Sequence, residues 1–180
     1  RKEESIRVVE TVKNLLSGNW CGNEIEPLQP HEIGIFYPRM LYKDDRATIE
    51  NLIENLHLYA PTIWLSDREN LGNRYKVSHP GIKIQTIHSA KGLQYRAVIL
   101  MWADRLPKYR ATPEQIDRDR KLLYVGLTRP EDFLFISSSG TSKFVSQIEN
   151  SGKVYVPHFY KNIVLKSYNF QRYIISIIDS

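Results

Sequence analysis

Residues 86–92 read T-I-H-S-A-K-G and follow the apolar run IKIQ at 82–85. Thr86, His88, Ser89 and Lys91 supply hydroxyl, imidazole and ammonium donors, and Gly92 lets a backbone approach a ligand closely. Ligands of open α/β sheets gather where strands end at their carboxyl termini. A cluster of this kind just past a strand suits a phosphate or a nucleic-acid base; taken without the wider pattern, it reads first as a capped strand-to-helix turn with one surface lysine. Arg129 closes a second block, R-K-L-L-Y-V-G-L-T-R at 120–129. A guanidinium is always charged and can pair two phosphate oxygens, and near a helix C-terminus it is also favoured by the dipole alone. The chain has no G-x-x-x-x-G-K-[ST] phosphate loop, the usual cradle for a nucleotide triphosphate.

The elements around these blocks follow from periodicity. Ile6, Val9, Val12 and Leu16 predict a helix over 3–16 that ends at Gly18. Residues 19–32, with glycine, asparagine and two prolines, read as a loop. I-G-I-F-Y at 33–37 reads as a buried strand. Ile49, Leu52, Ile53 and Leu56 recur at helical spacing and predict a helix over 45–59, with Asp44 or Asp45 as its cap. T-I-W-L-S after Pro61 is a short strand, and 67–80 is a polar loop. Strands follow at 82–87 and 97–102. Thr112-Pro113-Glu114-Gln115 is a capping-box start for a helix that runs to about Arg129, where Pro130 stops it. A strand at 133–139 and a helix at 142–150 with Phe144, Val145 and Ile148 inward complete the pattern. Strands alternating with helices imply an α/β fold whose mostly parallel sheet is covered by helices on both faces. Residues 153–180 are aromatic and β-branched, and no place in the fold is read for them.

With 180 residues the chain can bury one domain-sized core. Its net charge of +5 suits a polyanionic partner, although no basic run concentrates that charge. No apolar run approaches the roughly 18 residues of a membrane span, and no signal-peptide core is present at the N-terminus. The one cysteine, Cys21, cannot form an intrachain disulfide or a cysteine zinc cluster. A cytoplasmic location is the expectation. His31, His57, His79 and His158 show no metal-ligand spacing.

The string T-x-H-x-A-K-G-L, followed by an aromatic residue and an apolar strand, resembles motif V of the UvrD/Rep family of superfamily 1 helicases. Residues 118–130, R-D-R-K-L-L-Y-V-G-L-T-R-P, resemble that family's motif VI. The resemblance covers roughly 3–150 and implies a RecA-like (P-loop NTPase-type) second motor domain. It implies that Thr86 and His88 touch single-stranded DNA, that Gly92 and Gln94 lie at the nucleotide, and that Arg129 reaches the γ-phosphate as the catalytic arginine. Three residues depart from the family pattern. Gln94 stands where a ribose-binding Glu is usual, Pro130 replaces an Ala, and Arg118 replaces an acidic residue. I-G-I-F-Y-P-R-M at 33–40 is similar to the family strand that ends in Tyr-Arg. Here Pro38 splits that pair, which makes Arg39 a surface or interdomain residue. About twenty residues separate the helix at 45–59 from motif V, a normal connection; many family members carry a large accessory domain there.

The resemblance therefore implies a division into a motor domain at 1–152 and a C-terminal extension at 153–180. It implies half of an ATP-dependent DNA helicase, partnered by single-stranded DNA and by an N-terminal motor domain of the same polypeptide. ATP would be shared between the halves, and Mg²⁺ held mainly by the other one; the fragment alone would be inactive. Two alternatives remain open: a catalytically inactive nucleic-acid-binding or scaffold module, and an RNA-directed helicase of the same superfamily.

Overall fold

Five apolar runs become the parallel strands of one sheet. The computed structural model describes residues 1–20, 22–66, 79–152 and, as backbone, 162–166. In chain order the elements are α1 (Lys2–Leu16), an antiparallel pair β1 (Asn19–Trp20) and β2 (Asn23–Glu24), and β3 (Ile33–Tyr37) after a 3-10 turn at Pro30–Glu32. There follow α2 (Asp45–His57), β4 (Thr62–Trp64), β5 (Ile82–Thr86), β6 (Tyr95–Leu100), α3 (Pro113–Leu127), β7 (Pro130–Ser137), α4 (Lys143–Asn150) and β8 (Asn162–Lys166). The main sheet has the order β4-β5-β3-β6-β7-β8. All its neighbours are parallel except β8, which runs antiparallel to β7. This is the expected α/β architecture. Cys21, residues 67–78, residues 153–161 with His158, and residues 167–180 lie outside the described residues.

Alternation along the strands divides the interior in two. Ile33, Ile35 and Tyr37 of β3, with Ala97 and Ile99 of β6, face Val8, Val12 and Leu15 of α1 and Ile49, Leu52 and Leu56 of α2. Phe36, Val98, Leu100, Leu134 and Ile136 point the other way, onto Leu123 and Leu127 of α3 and Phe144, Val145 and Ile148 of α4. The chain thus winds outward from β3 in both directions, helices on opposite faces. The carboxyl end of β3 is the topological switch point.

Four local expectations are corrected. Helix α1 buries Glu4, Val8, Val12 and Leu15, while Ile6 is half exposed. The cause is Glu4, whose carboxylate is drawn inward by the Trp102 N–H at 2.7 Å, the Ser137 and Ser139 hydroxyls at 2.8 and 2.6 Å, and Arg1 at 2.8 Å. Asp44 occupies the N-cap position of α2 without a side-chain cap bond. Asp45 instead turns back to the Leu41 and Tyr42 N–H groups and to Arg105. Helix α3 keeps its Thr112/Gln115 capping box but ends at Leu127. Pro130 is then the first residue of β7, a strand position that tolerates the missing N–H. Finally, β6 starts at Tyr95 and stops at Leu100, two residues earlier than expected at each end. Trp102 beyond it is left-handed, with φ 62°.

Candidate functional site

Thr86 ends β5 and is paired in register with Tyr37 at the end of β3. Its hydroxyl lies 2.8 Å from the Ser89 hydroxyl and accepts the Ser89 N–H at 3.1 Å, so it caps the turn that follows. The Thr86 N–H donates to Ser66 Oγ at 2.9 Å, and Ser66 Oγ donates to Ser89 Oγ at 3.1 Å. His88, Ser89 and Lys91 are exposed beside this hydroxyl cluster. Ser66 has no motif to mark it in the sequence. Only the adjacency of β4 and β5 brings it to Thr86.

From Thr86 the chain makes a tight series of turns, with Ala90 N–H to Thr86 O at 3.2 Å and Leu93 N–H to Ala90 O at 3.0 Å. Ile87 and Ala90 are fully buried on the face of the sheet that α3 and α4 cover. The Ile87 N–H is fixed to Tyr37 O at 2.9 Å. Gly126 of α3 lies against Ile87, whose Cγ2 would sit 3.4 Å from a Cβ added there. The turn crosses over β3 to reach β6. Gly92 (φ 84°) and Gln94, both exposed, therefore emerge at the opposite, amino-terminal edge of the sheet.

Arg129 lies at that same edge. The Tyr95 N–H donates to Arg129 O at 3.2 Å, which sets Gln94 next to it. The Arg129 side chain folds onto the end of α3, Nε donating to Val125 O at 3.1 Å and Nη2 to Thr128 Oγ1 at 3.1 Å. The predicted residues thus fall into two groups. Thr86 and His88 stand at the carboxyl edge, Gly92, Gln94 and Arg129 at the amino edge, and one turn, anchored in the core through Ile87 and Ala90, joins them. Gln94 also borders a cleft of about 390 Å³ with His31, His79, Pro80, Lys83, Leu93 and Tyr95. Lys83 is buried there, its ammonium donating to the His79 carbonyl, and burial pushes its pKa down.

The carboxyl edge also holds charged pairs that spacing did not reveal. Arg105 and Asp45 form a buried two-pronged pair at 2.7 and 2.6 Å. The Arg105 guanidinium lies 3.9 Å from the Trp102 ring centre and donates to Arg39 O at 2.9 Å. Arg39, expected at a surface or domain boundary, pairs half-buried with Asp119 at 2.5 Å. Arg1 pairs with Asp104 at 2.6 Å. Burial pushes the carboxyls of Asp45 and Asp104 up, but Arg105 with two backbone N–H groups, and Arg1, outweigh it and hold both below the ordinary range. The described residues contain no group of three or more His, Cys, Asp or Glu that could hold a metal ion. Among them no helix is long and apolar enough to cross a membrane.

Residues 37–141 match the family model of the UvrD-like helicase C-terminal domain. The chain is 32% identical over 74 residues to the ATP-dependent DNA helicase Rep of Buchnera aphidicola, a stretch covering 39% of this chain and 11% of that protein. It is 29% identical over 101 residues to the ATP-dependent DNA helicase PcrA of Bacillus subtilis, covering 54% and 13% respectively. The chain thus spans roughly a tenth of the length of these relatives. In fold it is similar to the crystal structure of the C-terminal domain of a possible DNA helicase from Lactobacillus plantarum. That likeness has a TM-score of 0.50 at 19% identity and covers 79% of this chain and 71% of the other.

Proposed function

The chain belongs to the UvrD-like helicase C-terminal domain family, and from that premise we propose that it is the second motor domain of an ATP-dependent superfamily 1 DNA helicase. The motor domain proper is 1–152, and 153–180 is an extension whose strand β8 adds to the sheet. The observation that carries this reading is the turn at 87–94. It begins at the residues proposed to hold single-stranded DNA and ends at those proposed to meet the nucleotide. Its first residue, Ile87, packs against Gly126 of α3, and Ala90 in its middle is buried in the same core.

In this reading Thr86 and His88 contact the DNA strand. The exposed imidazole of His88 reaches a phosphate or base, while Thr86 holds the turn in shape. Gly92 allows close backbone approach at the nucleotide, and the Gln94 amide accepts from the ribose with a neutral oxygen, a weaker partner than a carboxylate. Arg129 releases the Val125 carbonyl and turns to the γ-phosphate of ATP, where a guanidinium stabilises charge developing in the transition state. Mg²⁺ would be held mainly by the N-terminal motor domain of the same polypeptide.

The test is steady-state ATP hydrolysis by the full-length protein. Arg129→Ala should lower kcat by about 10³–10⁵-fold and leave oligo(dT) affinity intact. Hydrolysis by Arg129→Ala at the parent rate would return Arg129 to capping α3 and leave a nucleic-acid-binding scaffold as the better reading. A parent protein that hydrolyses ATP with RNA but not with DNA strands would redirect the proposal to RNA.

A further inference from the structure

The cleft beside Gln94 is lined by a buried lysine, and the motor reading gives that lysine no role. Alternation turns Ile82 and Ile84 of β5 toward α1 and α2 and puts Lys83 and Gln85 on the opposite face. On that face the neighbouring strands present Phe36, Val98, Leu100, Leu134 and Ile136 to α3 and α4. Strand β5 instead presents two polar side chains, Lys83 at 2% and Gln85 at 1% exposure. Lysines are seldom buried this far. The Lys83 ammonium donates to the His79 carbonyl, which places it on the His79 side of the cleft.

Gly34 lets one wall of the cleft form. It is paired in register with Lys83, and a Cβ there would lie 3.0 Å from the Tyr95 ring. Without one, Tyr95 leans from the start of β6 across β3, meets Phe36 edge-on at 5.6 Å and accepts from Gln85 Nε2 at 3.0 Å. Leu93 and Pro80 add apolar surface, and the exposed residues His31, His79 and Gln94 stand at the rim. Among the described residues no carboxylate lines the cleft. Glu32, next to His31, is turned to the Gln29 N–H at 2.7 Å and to Arg96 at 3.5 Å. Arg129 lies on the other side of Tyr95, where β6 meets β7. The cleft is thus separate from the edge proposed to meet the γ-phosphate.

We propose that this cleft is a binding site for a phosphate-class anion, held by the Lys83 ammonium with His31, His79 and Gln94 at the rim. All four side chains supply N–H donors, which phosphate oxygens accept. The Gln94 amide can donate here while its oxygen accepts from a ribose. Burial pushes the Lys83 pKa down, and an anion in the cleft would oppose that shift by favouring the charged form. At about 390 Å³ the cleft lies at the small end of ligand pockets. It has room for free phosphate, or for the phosphate of a small nucleotide whose apolar part meets Leu93 and Pro80. The inference shares Gln94 with the proposed function and does not depend on it.

Isothermal titration calorimetry of the full-length protein tests it, with a non-hydrolysable ATP analogue saturating the ATP site and inorganic phosphate as the probe. The parent should bind phosphate. Lys83→Met should weaken that binding by about 10–100-fold, the range for a hydrogen bond to a charged group. Gln94→Glu, a change at an exposed position, should weaken it by about tenfold through like charge. Equal affinity for phosphate and AMP would assign the cleft to the free anion, and tighter AMP would assign it to a nucleotide's phosphate. Adenosine binding as tightly as AMP would refute the anionic reading. A Lys83→Met protein that melts at lower temperature yet binds phosphate like the parent would make Lys83 a clamp on the His79 carbonyl and overturn the site. No phosphate binding by the parent, with ATP hydrolysis still lost in Arg129→Ala, would sink the site and leave the proposed function standing. Hydrolysis unchanged in Arg129→Ala, with phosphate binding lost in Lys83→Met, would do the reverse.

Discussion

At the scale of single residues, arginines define the chain, and their roles differ by partner. Arg105 is committed: its pair with Asp45 is buried on both sides, at 3% and 5% side-chain exposure, and its Nε has no partner among the described residues. Removing one member would leave a bare buried charge. Asp45→Ala should therefore cost about 3–5 kcal/mol in urea denaturation, and a loss under 1 kcal/mol would show the pair to be incidental. Among the described residues Arg129 is tied only to a backbone carbonyl and a threonine hydroxyl on its own helix end, weak holds beside the pull of a triphosphate. Sequence reasoning singled out Arg129 because T-R closes a recognisable string. It could not separate Asp45 from an ordinary cap, because Arg105 is distant in sequence and meets it only once β3 and β6 lie side by side.

At the scale of elements, the strands and helices were legible because short apolar runs and helical spacing are local. The capping box of α3 and the inward face of α4 stand as expected. The rotation of α1 was not legible, since an inward Glu4 depends on the Ser137 and Ser139 hydroxyls at and past the end of β7 and on the Trp102 N–H just beyond β6. Nor was the division of the site, because a motif read along the chain does not show that its two ends emerge at opposite edges of a sheet. Two glycines test how the linking turn is packed. A Cβ at Gly34 would lie 2.9 Å from Phe36 Cε1 and 3.0 Å from the Tyr95 ring. Gly34→Ala should thus push Tyr95 from the start of β6 and destabilise by about 1–3 kcal/mol. At Gly126 the nearest atoms are at ordinary contact, 3.4 Å and beyond. Gly126→Ala should stabilise α3 by about 0.5–1 kcal/mol. Thermal melts of both variants check the pair, and opposite signs from these would refute the packing.

At the scale of the whole molecule, the carboxyl edge is cross-braced by carboxylate–guanidinium pairs joining α1, α2, α3 and the strand ends. Asp45 and Asp104 have carboxyls held below the ordinary range, so they stabilise the fold above the unfolded carboxylate range near 4. That contribution is lost as pH falls through their folded values. The melting temperature should hold near neutral pH and drop below about pH 4, less steeply in Asp45→Asn; a profile that the substitution leaves unchanged would remove Asp45 from the account. The central claim is that one turn, anchored through Ile87 and Ala90, connects the proposed DNA-holding edge to the proposed nucleotide-holding edge. Its direct test is the affinity of the full-length protein for oligo(dT), measured with and without a non-hydrolysable ATP analogue, in parent and Arg129→Ala. Coupling of this kind should change the parent's affinity by about 5–150-fold and leave Arg129→Ala nearly indifferent to nucleotide. Equal DNA affinity in the parent with and without nucleotide would contradict it.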